Sequence, residues 1–397
     1  MSIRRSWAWG VGVCGAALLV ACGGGSDAAL TAAVPTTVAL SAQAALGEKI
    51  FADVSLSASG RQSCASCHEP GNARSPSNNL AAQFGGALLD LQGRRSTPSL
   101  NYLSFNTAFR FDADGAPSGG FFWDGRSPSL QDQAGEPFLA AFEMANASVA
   151  DLIDKLSRAP YADEFRRVFG ADILSRPDDA MTRVALALQN YQKEATEFRA
   201  FSSKYDEFLR GKLRLSDQEQ RGLALFNNPA KGNCAACHPS ARGAGGSFPL
   251  FTDFSYDSLG VPRNPALAQN DDPAFYDLGV CGRVDLAERA DLCGAFKVPS
   301  LRNVAQRRVF FHNGRFNTLK DAITFYVQRD TAPEKWYPLD ADGTVKKFDD
   351  LPLRYQAYVN VTEAPYNRGP GDPPALSDAE VDDVIAFLKT LNDGFRP

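Results

Sequence analysis

The sequence predicts a mainly α chain in two similar halves with long loops, and three observations carry that prediction. One pentapeptide pattern, Cys-x-x-Cys-His, occurs twice, as Cys64-Ala65-Ser66-Cys67-His68 and as Cys234-Ala235-Ala236-Cys237-His238. Each copy is preceded by an amphipathic segment ending Gly47-Glu48-Lys49-Ile50-Phe51 or Gly222-Leu223-Ala224-Leu225-Phe226. Each half closes on a stretch whose apolar residues recur every three to four positions, the period of a helix buried along one face. The intervening stretches are rich in Gly, Pro and Phe, and little in them predicts sheet beyond short pairs.

Taken in order, the chain begins with Arg4 and Arg5 and an apolar run from Trp7 to Ala21, which reads as a signal peptide over 1–21. The run is short and Gly-rich for a membrane span. It ends Leu19-Val20-Ala21-Cys22, which looks like a bacterial lipobox, so Cys22 is the expected lipidated residue. The alternative is ordinary cleavage near Ala21 with Cys22 unmodified. Residues 22–42 then form a flexible tether. Both readings place the protein in the periplasm, and the first has it touch a membrane only through the lipid anchor on Cys22.

The first half is expected over 43–202. Its closing helix carries Val184, Leu188 and Tyr191, with Leu186 and Ala187 widening the face. Phe198 to Gly211 reads as the connector between the halves. The second half is expected over 203–397. Ser216 is the expected N-cap of its opening helix, and Ser377-x-x-Glu380 is a capping box. Val381, Val384, Ile385, Leu388 and Leu391 form the last apolar stripe.

The pentapeptide carries the chemistry. Two thiols at this spacing can bond to the two vinyl groups of a haem, and the adjacent His then reaches the iron. A single copy can also be half a zinc site or a redox dithiol. Two copies behind an export signal point to two covalently bound haem c groups, with His68 and His238 as iron ligands. Opening helix, haem motif, loops and closing helix make each half a class I cytochrome c-like domain. The cysteines agree: Cys14 leaves with the signal, Cys22 takes lipid, and four hold haem. Cys281 and Cys293 remain to form a disulfide in an oxidising compartment. A net charge of −5 with no Lys/Arg cluster argues against nucleic acid as a partner.

From about Ala44 to Leu391 the chain resembles the bacterial di-haem cytochrome c peroxidase / MauG family. Besides the haem motifs, three stretches carry the resemblance. They are Phe122-Trp123-Asp124-Gly125-Arg126, followed by Leu130, Gln133, Ala134, Pro137 and Glu143-Met144; Phe296-Lys297-Val298-Pro299-Ser300-Leu301-Arg302-Asn303; and Phe310-Phe311-His312-Asn313-Gly314, followed by Thr318-Leu319 and an amphipathic helix. The resemblance implies a peroxidatic N-terminal haem and an electron-transfer C-terminal haem. Gln133 and Glu143 fall on the family's distal pair, with Glu143 moving the proton and Gln133 orienting peroxide. Trp123 falls where the family has a Trp between the haems, a relay for electrons or holes.

Two departures matter. Conventional members cap the first iron with a His after the first haem motif, but the stretch from Glu69 to Gly93 holds no His. The first haem is therefore expected to be open or to hold water. Conventional members supply a Met to the second iron, and here that position is Tyr326, with His312 as the competing ligand. The resemblance also implies calcium between the haems, held by a side chain at Ser96, where the family has Asn, and by the carbonyls of Arg307 and Val309. Ser is a weaker calcium ligand than an amide.

Three functions follow. One is reduction of hydrogen peroxide with electrons from a small periplasmic donor, a cytochrome c or a cupredoxin. The second is oxidation of residues of a partner protein through a bis-ferryl state. The third, a non-catalytic electron-transfer cytochrome, predicts two strong axial ligands on each iron and no acid/base pair over either.

Overall fold

The structure, a computed structural model, describes residues 39–397. The expected signal peptide, Cys22 with its expected lipid and most of the expected tether lie outside the described residues. No helix among the described residues is long and apolar enough to cross a membrane.

The chain builds around two separate hydrophobic cores. The first takes its residues from Leu46 to Phe198 and the second from Tyr205 to Leu391. In the first, helices α1 (Ala42–Ala52), α2 (Cys64–Cys67), α3 (Leu130–Gly135), α4 (Val149–Ser157), α5 (Ala162–Phe169) and α6 (Pro177–Glu194) follow in order. In the second come α7 (Lys204–Leu209), α8 (Asp217–Asn227), α9 (Leu319–Gln328) and α10 (Asp378–Lys389). Three two-stranded antiparallel pairs are the described strands, and one of them joins Phe84–Gly85 to Leu91–Gln92.

The same crossing organises both cores. A Cβ added at Gly47 of α1 would lie 2.0 Å from the Ala187 carbonyl oxygen of α6. One added at Gly222 of α8 would lie 2.0 Å from the Asp383 carbonyl oxygen of α10. Only Gly lets the paired backbones approach this closely. One turn later the crossing is filled by aromatics: Phe51 meets Tyr191 edge-on at 5.7 Å, and Phe226 meets Phe387 edge-on at 5.2 Å. The capping residues behave as their chemistry requires. Ser216 and Ser377 each accept from the backbone N–H three residues on, and the Glu at that position reaches back.

The connector folds rather than merely spanning. Ser203 caps α7 in a box with Asp206, and Asp206 pairs with Arg302 through two bonds of 3.0 and 2.9 Å, fully buried. Burial alone would raise the Asp206 carboxyl, but Arg302 and the Ser203 bonds outweigh it and hold it below the usual carboxylate range. Tyr102 of the first half donates to Asp393 at the chain's end. The expected disulfide joins Cys281 to Cys293.

Candidate active site

The two pentapeptides share the same hydrogen bonds, although Cys64–Cys67 is α-helical and Cys234–Ala236 forms a 3-10 turn. The N–H of His68 donates to the Cys64 carbonyl at 2.9 Å, and that of His238 to the Cys234 carbonyl at 2.9 Å. The Nδ1 atom of His68 lies 3.2 Å from the Arg74 carbonyl, and Nδ1 of His238 lies 2.7 Å from the Phe251 carbonyl. A carbonyl only accepts, so Nδ1 carries the proton and Nε2 keeps its lone pair. Burial pushes His68 down to about 4 and also lowers His238, which keeps both imidazoles in the neutral, ligating form. Both face one cavity of about 860 Å³.

The chemistry of the donor set can be tested against the alternatives. The four thiols are unpaired, and burial pushes Cys64, Cys234 and Cys237 up to about 12. A redox dithiol needs a depressed thiol pKa instead. No cluster of three or more His, Cys, Asp or Glu able to hold a metal ion occurs among the described residues, so a closed zinc site is not built. Two thiols and one free Nε2 per half, around a large cavity, fit two haem groups.

Over the first pentapeptide, α3 presents Gln133 and the turn from Ala140 to Ala145 presents Glu143. Both line the cavity with Cys67 and His68. α3 starts at Ser129, whose hydroxyl accepts from the Asp132 N–H. The Glu143 backbone is fixed from the hairpin side, where the Gly86 N–H donates to its carbonyl at 2.8 Å. The Gln133 amide oxygen is buried with no partner, an acceptor left for a donor arriving in the cavity. Burial raises the Glu143 carboxyl to about 7, and the charge of Arg126 offsets only part of that. Sequence reasoning missed Gln62 and Gln192. Each also buries an unpartnered amide oxygen and lines a second, 70 Å³ cavity with Gln133, Glu143 and His68.

Around the second pentapeptide, Tyr326 on α9 and His312 both line the large cavity. Their surroundings differ. The Tyr326 ring lies 5.3 Å from Phe311 and 6.0 Å from Tyr366, and burial raises its phenol, helped by Asp257, Cys237 and Cys234 and opposed by Arg329. The His312 ring stacks flat on Phe296 at 3.5 Å, and burial pushes its imidazole down to about 3, with Asp277 opposing the shift and Arg95 adding to it.

A repeat absent from the sequence reading relates the two sites. Phe121-Phe122-Trp123-Asp124-Gly125-Arg126-Ser127 and Phe310-Phe311-His312-Asn313-Gly314-Arg315-Phe316 form the same turn. Each is closed by a bridge between its first and last residues, with Phe122 and Phe311 both in the left-handed region. A capped helix follows each, from Ser129 and from Thr318. In this register Trp123 matches His312, and Pro137 matches Tyr326. The Trp123 indole donates to the Ser96 carbonyl at 2.8 Å, and the Ser96 N–H donates to the His312 carbonyl at 2.7 Å.

The expected calcium ligands do not fit a calcium ion. The Ser96 hydroxyl and the Val309 carbonyl both accept from the side chain of Arg307, at 3.1 and 3.3 Å. A cationic group already uses the oxygens that the ion would need.

Comparison with known proteins agrees with this geometry. Residues 41–214 match the di-haem cytochrome c peroxidase family. The chain is 35% identical over 362 residues to the methylamine utilization protein MauG of Paracoccus denitrificans, covering 89% of each chain. It is 30% identical to the cytochrome c551 peroxidase of Nitrosomonas europaea, covering 70% of this chain and 71% of that one. The crystal structure of the diheme peroxidase BthA from Burkholderia thailandensis superposes with a TM-score of 0.82 at 41% identity, covering 89% of this chain and 86% of that one. The chain belongs to the di-haem cytochrome c peroxidase family and is an oxidoreductase of that family.

Proposed function

We propose, from membership of this family, that the chain reduces hydrogen peroxide at the haem site of residues 43–202 and draws its electrons through the haem site of residues 203–397. The observation that carries the reading is the pairing of Glu143 and Gln133 over the cavity shared with His68. It joins a carboxyl poised near neutrality with an amide oxygen that has no partner in the protein. An electron-transfer cytochrome has no use for such a pair.

The two haems, attached through Cys64 and Cys67 and through Cys234 and Cys237, supply the redox chemistry. Overall, one peroxide, two electrons and two protons become two waters. Gln133 accepts a hydrogen bond from peroxide and orients it without titrating. Glu143, ionised, takes the proton from one peroxide oxygen and returns it to the other, which leaves as water. Pro137, where the repeat places Tyr326 in the other half, offers no ligand atom, which keeps the first site accessible. Tyr326 is the proposed ligand of the second iron, supported by its place on the wall of the cavity that Cys234, Cys237 and His238 also line. Trp123 is the proposed relay, its indole tied through Ser96 to the His312 backbone. The donor is a small periplasmic cytochrome c or cupredoxin, met by a protein anchored through lipid on Cys22.

A second reading, oxidation of residues of a partner protein, is favoured by Tyr326 and by the similarity to MauG. A phenolate is a hard anionic donor, so Tyr326 as a ligand would stabilise a haem iron in high oxidation states. Steady-state peroxide turnover with reduced cytochrome c, beside a search for modified proteins in the native periplasm, tests the two readings. Donor-dependent turnover supports the first. Its absence together with a covalently modified partner replaces it by the second.

A further inference from the structure

We infer that the guanidinium of Arg307 is the resident cation between the two haem sites and that the protein binds no calcium there. Four oxygens surround this side chain. Arg307 donates to the Ser96 hydroxyl at 3.1 Å, the Thr97 carbonyl at 3.2 Å, the Val309 carbonyl at 3.3 Å and the Ser75 hydroxyl at 3.5 Å. Ser75, Ser96 and Val309 are all buried, so these oxygens have little access to water. A guanidinium carries five N–H donors in a fixed fork, which suits a ring of neutral acceptors.

Calcium needs about six to eight oxygens at roughly 2.3–2.6 Å. Of the three protein oxygens expected for it, two already accept from Arg307. An ion bonded to both would lie within a few ångströms of the guanidinium, about one ligand bond beyond oxygens already bonded to it, beside a like charge in a poorly solvated place. Calcium sites are also tuned by the number of charged ligands. Arg307 forms no ion pair among the described residues, and no cluster of carboxylates surrounds it. The site therefore supplies neutral oxygens and one covalently tethered positive charge. Ser96, whose backbone joins Trp123 to His312, is held by a group that cannot dissociate.

The test uses the full holoprotein, with haem content measured first so that failure of the di-haem reading shows separately. Calcium is then quantified by plasma mass spectrometry after dialysis, and the Tm and haem spectra are recorded with excess calcium and with EGTA. Calcium well below one per chain, and no response to either addition, is the expected result. Stoichiometric calcium, or a Tm or spectrum that moves with EGTA, overturns the inference. A second arm uses Arg307→Gln, which keeps some hydrogen bonds and removes the charge. Its Tm should fall and calcium should not restore it. A Tm unchanged from the parent would also overturn the inference.

Discussion

Trp123 and His312 hold the same place in two copies of one turn, and the backbone of Ser96 bonds to both. Its carbonyl accepts from the Trp123 indole and its N–H donates to the His312 carbonyl. Trp123 and His312 are thus joined by a short, buried path. Trp123→Phe keeps an aromatic ring but removes the N–H and leaves the Ser96 carbonyl unpaired, at a cost of about 1–3 kcal/mol. Denaturant unfolding should show that loss. Stopped-flow spectroscopy should show slower electron exchange between the haems at unchanged haem content. Exchange at the parent rate would remove Trp123 from the path.

Haem attachment is the simplest outcome to measure. Each Cys-x-x-Cys-His should hold one covalent haem, so intact mass spectrometry should show two haem additions. Cys234→Ala/Cys237→Ala should show one. A single haem in the parent, or zinc in its place, would contradict the assignment of both cavity walls.

The second iron separates Tyr326 from His312. Tyr326→Phe should abolish the low-spin ferric signal of the second haem in electron paramagnetic resonance and raise its reduction potential, since an anionic oxygen donor is lost. His312→Ala should leave that signal in place. Its ring stacks on Phe296 and its electrostatic neighbours are Asp277 and Arg95 rather than the second pentapeptide. The reverse pattern would make His312 the ligand.

Much of the fold was legible in sequence because it rests on local chemistry. Ser216 and Ser377 cap helices because a hydroxyl three residues before an acid satisfies free N–H groups wherever it occurs. Gly47 and Gly222 stand in the opening helices, but that each marks a close crossing depends on Ala187 and Asp383, far along the chain. The connector was less legible: Ser203 caps with Asp206 rather than Glu, and the role of Asp206 depends on Arg302, far along the chain. The site followed the same division. The pentapeptides and the Gln133–Glu143 pair stand in the sequence. The bonds from Arg307 to Ser96 and Val309 are set by a side chain's direction, which sequence does not encode locally. The match of Pro137 to Tyr326 was readable in the doubled Phe-Phe-x-x-Gly-Arg motif.

That match gives a prediction of its own. With no His from Glu69 to Gly93 and Pro137 at the ligand position, the fully oxidised protein should show a high-spin ferric first haem. It should react with peroxide without prior reduction. Pro137→Tyr should convert part of that signal to low spin and slow the reaction. A wholly low-spin, inert oxidised parent would mean that another group caps the iron.

The most direct test of the account is the rate at which the oxidised protein reacts with hydrogen peroxide, followed by stopped flow across pH in the parent and in Glu143→Gln. Burial holds the Glu143 carboxyl at about 7, above the ordinary carboxylate range, and it must be ionised to take a proton. The parent rate should therefore rise with pH through about 7 and level off above it. Glu143→Gln should react about 10²–10⁴-fold more slowly, the usual worth of general acid–base catalysis, and should lose that inflection. Its haem content should stay at the parent level. A Glu143→Gln protein that reacts at the parent rate, with the inflection intact, would contradict the assignment of Glu143 as the group that moves the proton.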